Sequence, residues 1–199
     1  MSTGSHILVA RRYLRQQSLR AIVRTSMERT ASMKIEAQGA VTATSPRVKA
    51  VQAQAEKDLL DLLGVDFQAM IDARRMRDGD KAHITLARPP DMKKAVILRS
   101  GAEGISKSEA TRRLEAELPT KTLPDSFQVK GYGAAKNAGK VAFFVVLDWR
   151  DAESFRESLG LDPQGQDFHI TVGFGPGGDV FDVPKNRVLT PEQLRDFLS

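Results

Sequence analysis

The chain contains no cysteine, and histidine occurs at only three of its 199 positions, namely 6, 83 and 169. Without thiols the protein can form neither a disulfide nor a thiolate metal site. Three histidines and scattered carboxylates also make a conventional zinc shell an unconvincing option. We therefore expect no metal and no other cofactor. The lack of cysteine is compatible with a reducing intracellular compartment.

Long apolar runs are missing as well. No stretch approaches the roughly 20 apolar residues that a membrane-spanning helix needs, so we expect a soluble protein with no membrane partner. Hydrophobic residues make up 41% of the chain, which is enough to bury one sizeable core. The length favours a single compact domain, or two small lobes that share a core, and we expect a monomer.

Acidic residues are absent from the first 27 positions, where five arginines occur: Arg11, Arg12, Arg15, Arg20 and Arg24. Such a stretch is typical of a basic arm, a transit peptide, or sequence upstream of a later start at Met27 or Met33. We treat residues 1–32 as an extension and residues 33–199 as the folded domain. The location is then cytoplasmic, or organellar if the arginines form a transit peptide. The net charge of +5 favours an anionic partner.

Helical and strand patterns interleave along the rest of the chain. Ser45 followed by Pro46 predicts a helix that ends at Gly64, and capping boxes at Ser106 and Thr190 predict two further helices. One more helix is expected over 151–159. Predicted strands cover 33–41, 82–87, 127–134, 141–149, 168–172 and 180–183. Because hairpins outnumber crossover connections, the pattern favours an α+β fold.

One tripeptide occurs twice, as His83-Ile84-Thr85 and as His169-Ile170-Thr171. Each copy follows a helix and a turn that contains Asp and Gly. In a strand, alternate side chains share a face, so each His points the same way as its own Thr. If the two halves pack about a pseudo-two-fold axis, the two histidines meet.

Such a pair of histidines suits the cleavage of a phosphodiester. The reaction removes a proton from the attacking oxygen and delivers another to the leaving oxygen, and a neutral and a protonated imidazole do this near pH 7. The threonine hydroxyls can donate hydrogen bonds to the non-bridging oxygens as charge develops there. The scheme requires no metal.

The extended motifs, His83 to Leu86 and His169 to Val172, resemble the paired signature of the 2H phosphoesterase superfamily. This superfamily includes bacterial 2′-5′ RNA ligase-like proteins and cyclic phosphodiesterases, and the resemblance covers roughly residues 33–185. It implies a bilobal α+β fold with two pseudo-symmetric lobes whose antiparallel sheets line a central groove. It also implies that His83 and His169 are acid and base and that Thr85 and Thr171 hold the phosphate.

The implied substrate is a 2′,3′-cyclic phosphate of RNA or of a nucleotide, or a 2′-5′ linkage. Arg88 follows the first motif closely and is a candidate for phosphate binding. Tyr132, Phe174 and Phe181 are aromatic candidates for stacking on a base. The alternative from another class is an RNA-binding module that holds a phosphate without turnover. The direction of reaction and the identity of the basic histidine stay open at this point.

Overall fold

The computed structural model of the chain describes residues 30–181 and 183–198. The five arginines of the first 27 positions lie outside these residues. Thr30, Ala31 and Ser32 belong to the first strand, β1 (Thr30–Ile35), which therefore starts three residues before its predicted beginning. Within the described residues, no helix has the length and apolar character needed to cross a bilayer.

The first sheet is antiparallel and has the strand order β3-β2-β1-β4. Its other strands are β2 (Val41–Thr44), β3 (Ile84–Ala87) and β4 (Thr122–Pro124). The prediction of one strand over 33–41 is wrong, because the chain turns back between β1 and β2. The turn is closed by the Gly39 amide, which donates to the Glu36 carbonyl oxygen at 2.8 Å. Gly39 has a φ of +85°, a backbone angle that residues with a Cβ atom rarely adopt.

The second sheet is also antiparallel, in the order β5-β6-β7. It consists of β5 (Gln128–Asn137), β6 (Lys140–Asp148) and β7 (His169–Phe174), so the predicted hairpin is confirmed. The predicted strand over 180–183 is wrong, since Val180, Phe181 and Val183 are not in a strand. This part of the chain instead crosses the sheet, and further along it the Leu189 amide donates to the Tyr132 carbonyl oxygen at 2.9 Å.

Six α-helices occur in the described part of the chain. They are α1 (Pro46–Leu63), α2 (Asp66–Asp78), α3 (Pro89–Glu103), α4 (Lys107–Glu117), α5 (Arg150–Ser158) and α6 (Pro191–Asp196). The predicted N-caps Ser45, Ser106 and Thr190 are confirmed. Each of their side chains accepts a hydrogen bond from the backbone amide three residues further on, which satisfies one of the free donors of the first turn.

Two helices, α2 and α3, were not predicted. Pro89 and Pro90 follow β3 directly and form the first turn of α3. Proline fits there because the first helical amides have no partner inside the helix. The backbone amide of Arg88 donates to Asp91 Oδ2 at 3.0 Å and so caps the helix start.

Both sheets contribute to one apolar core, with Met33 and Ala43 from the first and Phe143 and Val172 from the second. The two sheets also share an order of elements. A hairpin (β1–β2 or β5–β6) is followed by helix and then by a His-Ile-Thr strand, which pairs antiparallel with the second hairpin strand. The strands β3 and β7 are sheet edges and lie beside each other. The α+β class is confirmed.

Candidate functional site

The first motif shows the alternation that its sequence predicts. Ile84 and Leu86 are fully buried, at 0% exposure, whereas His83 and Thr85 are half-buried. His83 directly precedes β3, and Thr85 lies opposite Thr42 across the β2–β3 pair. The polar side chains of the motif are therefore on the face of the strand that does not enter the core.

The carboxylate of Glu36 interacts electrostatically with His83. Glu36 Oε1 accepts a hydrogen bond from Thr42 Oγ1 at 3.1 Å, and its Oε2 lies 3.2 Å from Lys34 Nζ. Burial opposes ionisation of Glu36, but the hydrogen bonds from Lys34 and Thr42 and the charges of Lys34 and His83 outweigh it. The pKa of Glu36 is consequently lower than its usual value, and the group is ionised near neutral pH.

The second motif lies within β7, where His169 and Thr171 face Val146 and Phe144 of the neighbouring strand β6. The His169 ring contacts the Phe144 ring edge-on, with 5.6 Å between the ring centres. Its Nδ1 lies 2.7 Å from the backbone carbonyl oxygen of Asp167. Since a carbonyl can only accept, Nδ1 carries the hydrogen, and in the neutral ring Nε2 has the free lone pair.

A buried lysine approaches that nitrogen. Lys185 Nζ lies 3.4 Å from His169 Nε2 and 3.1 Å from Asp179 Oδ1, and both Lys185 and Asp179 are only 6% exposed. Arg77 Nη1 lies 3.4 Å from the other oxygen of Asp179. Sequence reasoning missed these three charged residues, and no motif or spacing in the chain marks them.

The surroundings of His169 favour its neutral form. Burial is the largest cause that lowers its pKa, and the positive charge of Lys185 lowers it further, to about 4. The hydrogen bond to Asp167 and the carboxylates of Asp167 and Asp179 act in the opposite direction without cancelling this effect. Burial also opposes ionisation of Asp179, but Lys185 and Arg77 outweigh it and lower the pKa of that carboxyl group.

Hydrogen bonds from elsewhere in the chain hold the backbone at both motifs. Gln52, on α1, donates from Nε2 to the Thr171 carbonyl oxygen at 2.9 Å. Thr44, on β2, donates from Oγ1 to the Ala82 carbonyl oxygen at 2.7 Å, directly before His83. The strands β3 and β7 contact each other, so the two His-Ile-Thr segments lie in one region of the molecule.

The predicted substrate-binding residues lie in different environments. Arg88 is exposed at the start of α3, with Nε 3.7 Å from Asp91 Oδ2. The Tyr132 hydroxyl donates to Asp58 Oδ2 at 2.6 Å. Phe174 is 3% exposed, and the guanidinium carbon of Arg77 lies 4.4 Å above its ring centre, so stacking of a base on this ring would require displacement of Arg77.

Phe181 presents the most accessible ring among the aromatic candidates, at 64% exposure. Its ring centre lies 6.0 Å from Lys185 Nζ.

Among residues 30–181 and 183–198, no group of three or more His, Asp or Glu side chains is arranged to hold a metal ion.

Comparison with known families shows what the chain is similar to. The family described as "Swiss Army Knife, 2H phosphoesterase domain" matches residues 47–180, which is more than half of the chain and includes both His-Ile-Thr motifs. No curated protein and no solved structure shows significant similarity to the chain. The extent of the family match and the paired motifs lead to one conclusion: the chain belongs to the 2H phosphoesterase domain family.

Proposed function

We propose that the protein is a metal-independent phosphodiesterase that hydrolyses a 2′,3′-cyclic phosphate of RNA or of a nucleotide. The observation that carries this proposal is the presence of identical His-Ile-Thr segments at two edge strands that lie side by side. Within each segment the His and Thr are half-buried, so they are anchored by the fold and still reachable by a ligand. A cyclic phosphate bound in a groove between them would contact both segments.

The two histidines have different charged groups nearby, and this supports different roles for them. The carboxylate of Glu36 accompanies His83, whereas the ammonium of Lys185 accompanies His169. A difference in charged neighbours is typical of acid–base pairs in which the two members have different roles. We therefore assign His169 as the base and His83 as the acid.

The reaction then proceeds by attack of water on phosphorus. His169 Nε2 takes a proton from the water as the new P–O bond forms. The bond from phosphorus to the ribose 2′ or 3′ oxygen breaks, and the His83 imidazolium gives its proton to that oxygen. Thr85 and Thr171 donate hydrogen bonds to the non-bridging oxygens, where negative charge increases in the transition state. Action on a 2′-5′ linkage would use the same four side chains.

The test is incubation of the protein with nucleoside 2′,3′-cyclic phosphates and with RNAs that end in a cyclic phosphate, in the presence of a chelator. We expect a phosphomonoester product, which is identified by chromatography and mass spectrometry. His83→Ala and His169→Ala serve as inactive variants, and His6→Ala, at the third histidine of the chain, serves as the matched control.

Two results would contradict the proposal. Tight binding of RNA with no product from any substrate would favour the alternative, an RNA-binding module that holds a phosphate without turnover. Activity that disappears with chelation and returns with one particular metal would replace the two-histidine mechanism with metal-activated hydrolysis.

A further inference from the structure

Lys185 is a buried cation that the reaction described above does not use. Lysine is almost never buried unless its charge is paired, because removal of an ammonium from water is costly. Here the pairing partner is Asp179, and the same ammonium also faces Nε2 of His169 at 3.4 Å. Nε2 is the nitrogen that Asp167 leaves without a hydrogen.

The chain segment that carries Lys185 is held at several points, which fixes the position of the ammonium. The backbone amide of Lys185 donates to Asp167 Oδ2 at 2.8 Å. The side chain of Asp179 accepts from the Val180 amide at 2.7 Å, so the carboxylate is oriented before it meets the lysine. At the far end, the Leu189 amide bonds to a carbonyl oxygen of β5.

We propose that Lys185 is a positioning residue for His169, whose ammonium keeps Nε2 of the imidazole unprotonated and therefore ready to accept the proton of the attacking water. This inference rests on the proposed function, because it assigns a role within that reaction. An imidazolium at this position would place a second positive charge 3.4 Å from the ammonium. Two like charges at that distance repel strongly in a partly desolvated site.

Other charged groups face His169 as well, and they determine how large the effect is. Asp179 and Asp167 contribute negative charge, and Arg77 contributes positive charge behind Asp179. The low pKa of His169 shows that burial and Lys185 together outweigh the two carboxylates. At 3.4 Å the contact between the ammonium and Nε2 is at the long end of the range for a hydrogen bond, so its effect on the imidazole is chiefly one of charge.

A purely structural role for Lys185 makes a different prediction. If Lys185 only fastens its segment to Asp179, its loss would destabilise the fold and leave the ionisation of His169 in the folded protein unchanged. The titration of His169 therefore separates the two roles, and it requires no substrate and no turnover.

The experiment is an NMR titration of the full chain with isotope-labelled histidine, with the three imidazole signals assigned by His6→Ala and His83→Ala. We expect the pKa of His169 to rise by about one pH unit or more in Lys185→Met, because a like charge a few ångströms away is removed. It should stay low in Lys185→Arg, which keeps the charge. Arg187→Met is the matched control, since it removes an exposed positive charge two residues further along the same segment.

Lys185→Met leaves the buried Asp179 with Arg77 as its partner, so its folding is checked first from the amide spectrum. If it does not fold, Lys185→Met/Asp179→Asn takes its place. The pKa of His169 should still rise in the double variant, because Lys185 affects it more strongly than Asp179 does. A folded variant of either kind with an unchanged His169 titration overturns the role of Lys185. Lack of turnover by the wild-type protein would instead overturn the proposed function.

Discussion

At the scale of the residue, two histidines with identical neighbours in sequence have different chemical surroundings. His83 directly precedes the edge strand β3 and lies near the ionised Glu36. His169 is enclosed by an aromatic ring, a backbone carbonyl and the ammonium of Lys185. The tripeptide therefore supplies the same functional groups twice, and for His169 the surrounding residues favour the neutral imidazole.

The first prediction concerns the four motif side chains. His83→Ala and His169→Ala should each reduce kcat by about 100-fold or more, since each removes one half of the proposed acid–base pair. Thr85→Val and Thr171→Val should each cost roughly 10- to 100-fold, the value of a hydrogen bond to a charged group. Thr→Ser at either position keeps the hydroxyl and should retain most activity. Steady-state kinetics on one cyclic nucleotide measures all six variants, and normal turnover by either Ala variant would contradict the mechanism.

The second prediction concerns the pH dependence of stability. The pKa of His169 falls from its ordinary value of 6.5 to about 4 on folding, so the unfolded chain takes up the proton first as the pH decreases. His169 therefore lowers the free energy of unfolding between about pH 6.5 and pH 4, by at most about 1.4 kcal/mol per pH unit. Urea denaturation of the wild type and of His169→Gln across this range measures the effect. Parallel curves for the two proteins would show that His169 titrates normally in the folded state.

At the scale of the element, small residues on β5 allow a segment of chain to cover the second sheet. Gly133 is buried, and a Cβ atom at this position would lie 2.7 Å from the Arg187 carbonyl oxygen and also collide with the Phe144 ring. The backbone that leads from Lys185 therefore passes directly over this glycine. Close packing of strand and segment holds the ammonium near β7.

The third prediction follows from that close approach. Gly133→Ala should destabilise the protein by about 1–3 kcal/mol, the usual cost of excess volume in a packed interior, because a backbone carbonyl cannot rotate away. Gly101→Ala is the matched control, since Gly101 lies inside α3 and an added Cβ meets nothing within 4 Å. It should stabilise by about 0.5–1 kcal/mol through helix propensity. Urea unfolding measures both, and equal effects would show that the segment does not pack as described.

At the scale of the whole molecule, the family match and the two charged neighbours of the histidines occupy different parts of the chain. The match covers residues 47–180, which include both motifs. Glu36 and Lys185 lie on either side of it, on the β1–β2 hairpin and on the segment before α6. The parts of the fold outside the matched stretch thus bring opposite charges to the two histidines.

The fourth prediction concerns the arginine-rich segment at the start of the chain. Removal of residues 1–27 should leave kcat and KM on a nucleoside cyclic phosphate unchanged within about twofold, because the site described above uses no residue from it. Affinity for longer RNA should fall and should become less dependent on salt, since five arginines are lost. Kinetics and binding at two salt concentrations test both statements. Loss of activity on the small substrate would show that the segment contributes to the site.

The local features of this protein follow from its sequence alone. Helix starts at Ser45, Ser106 and Thr190 and the β5–β6 hairpin depend on neighbouring residues, and so do the inward Ile and outward His of each motif. These are capping and alternation patterns, which act over two to four residues. The α+β class and the family resemblance rest on the same short-range signals.

Tertiary structure decided the rest. The strand break at Gly39 and helix α3 after two prolines depend on how the turns pack, whereas local patterns predicted one strand over 33–41 and no helix after the prolines. Lys185 lies 16 positions after His169 in the sequence and meets it because the segment that follows β7 folds back over the sheet. Charge contacts of this kind have no sequence signature, since a lysine that the fold buries cannot be told from an exposed lysine in the sequence. The identity of the candidate site residues is therefore a property of the sequence, whereas their electrostatic environment is a property of the fold.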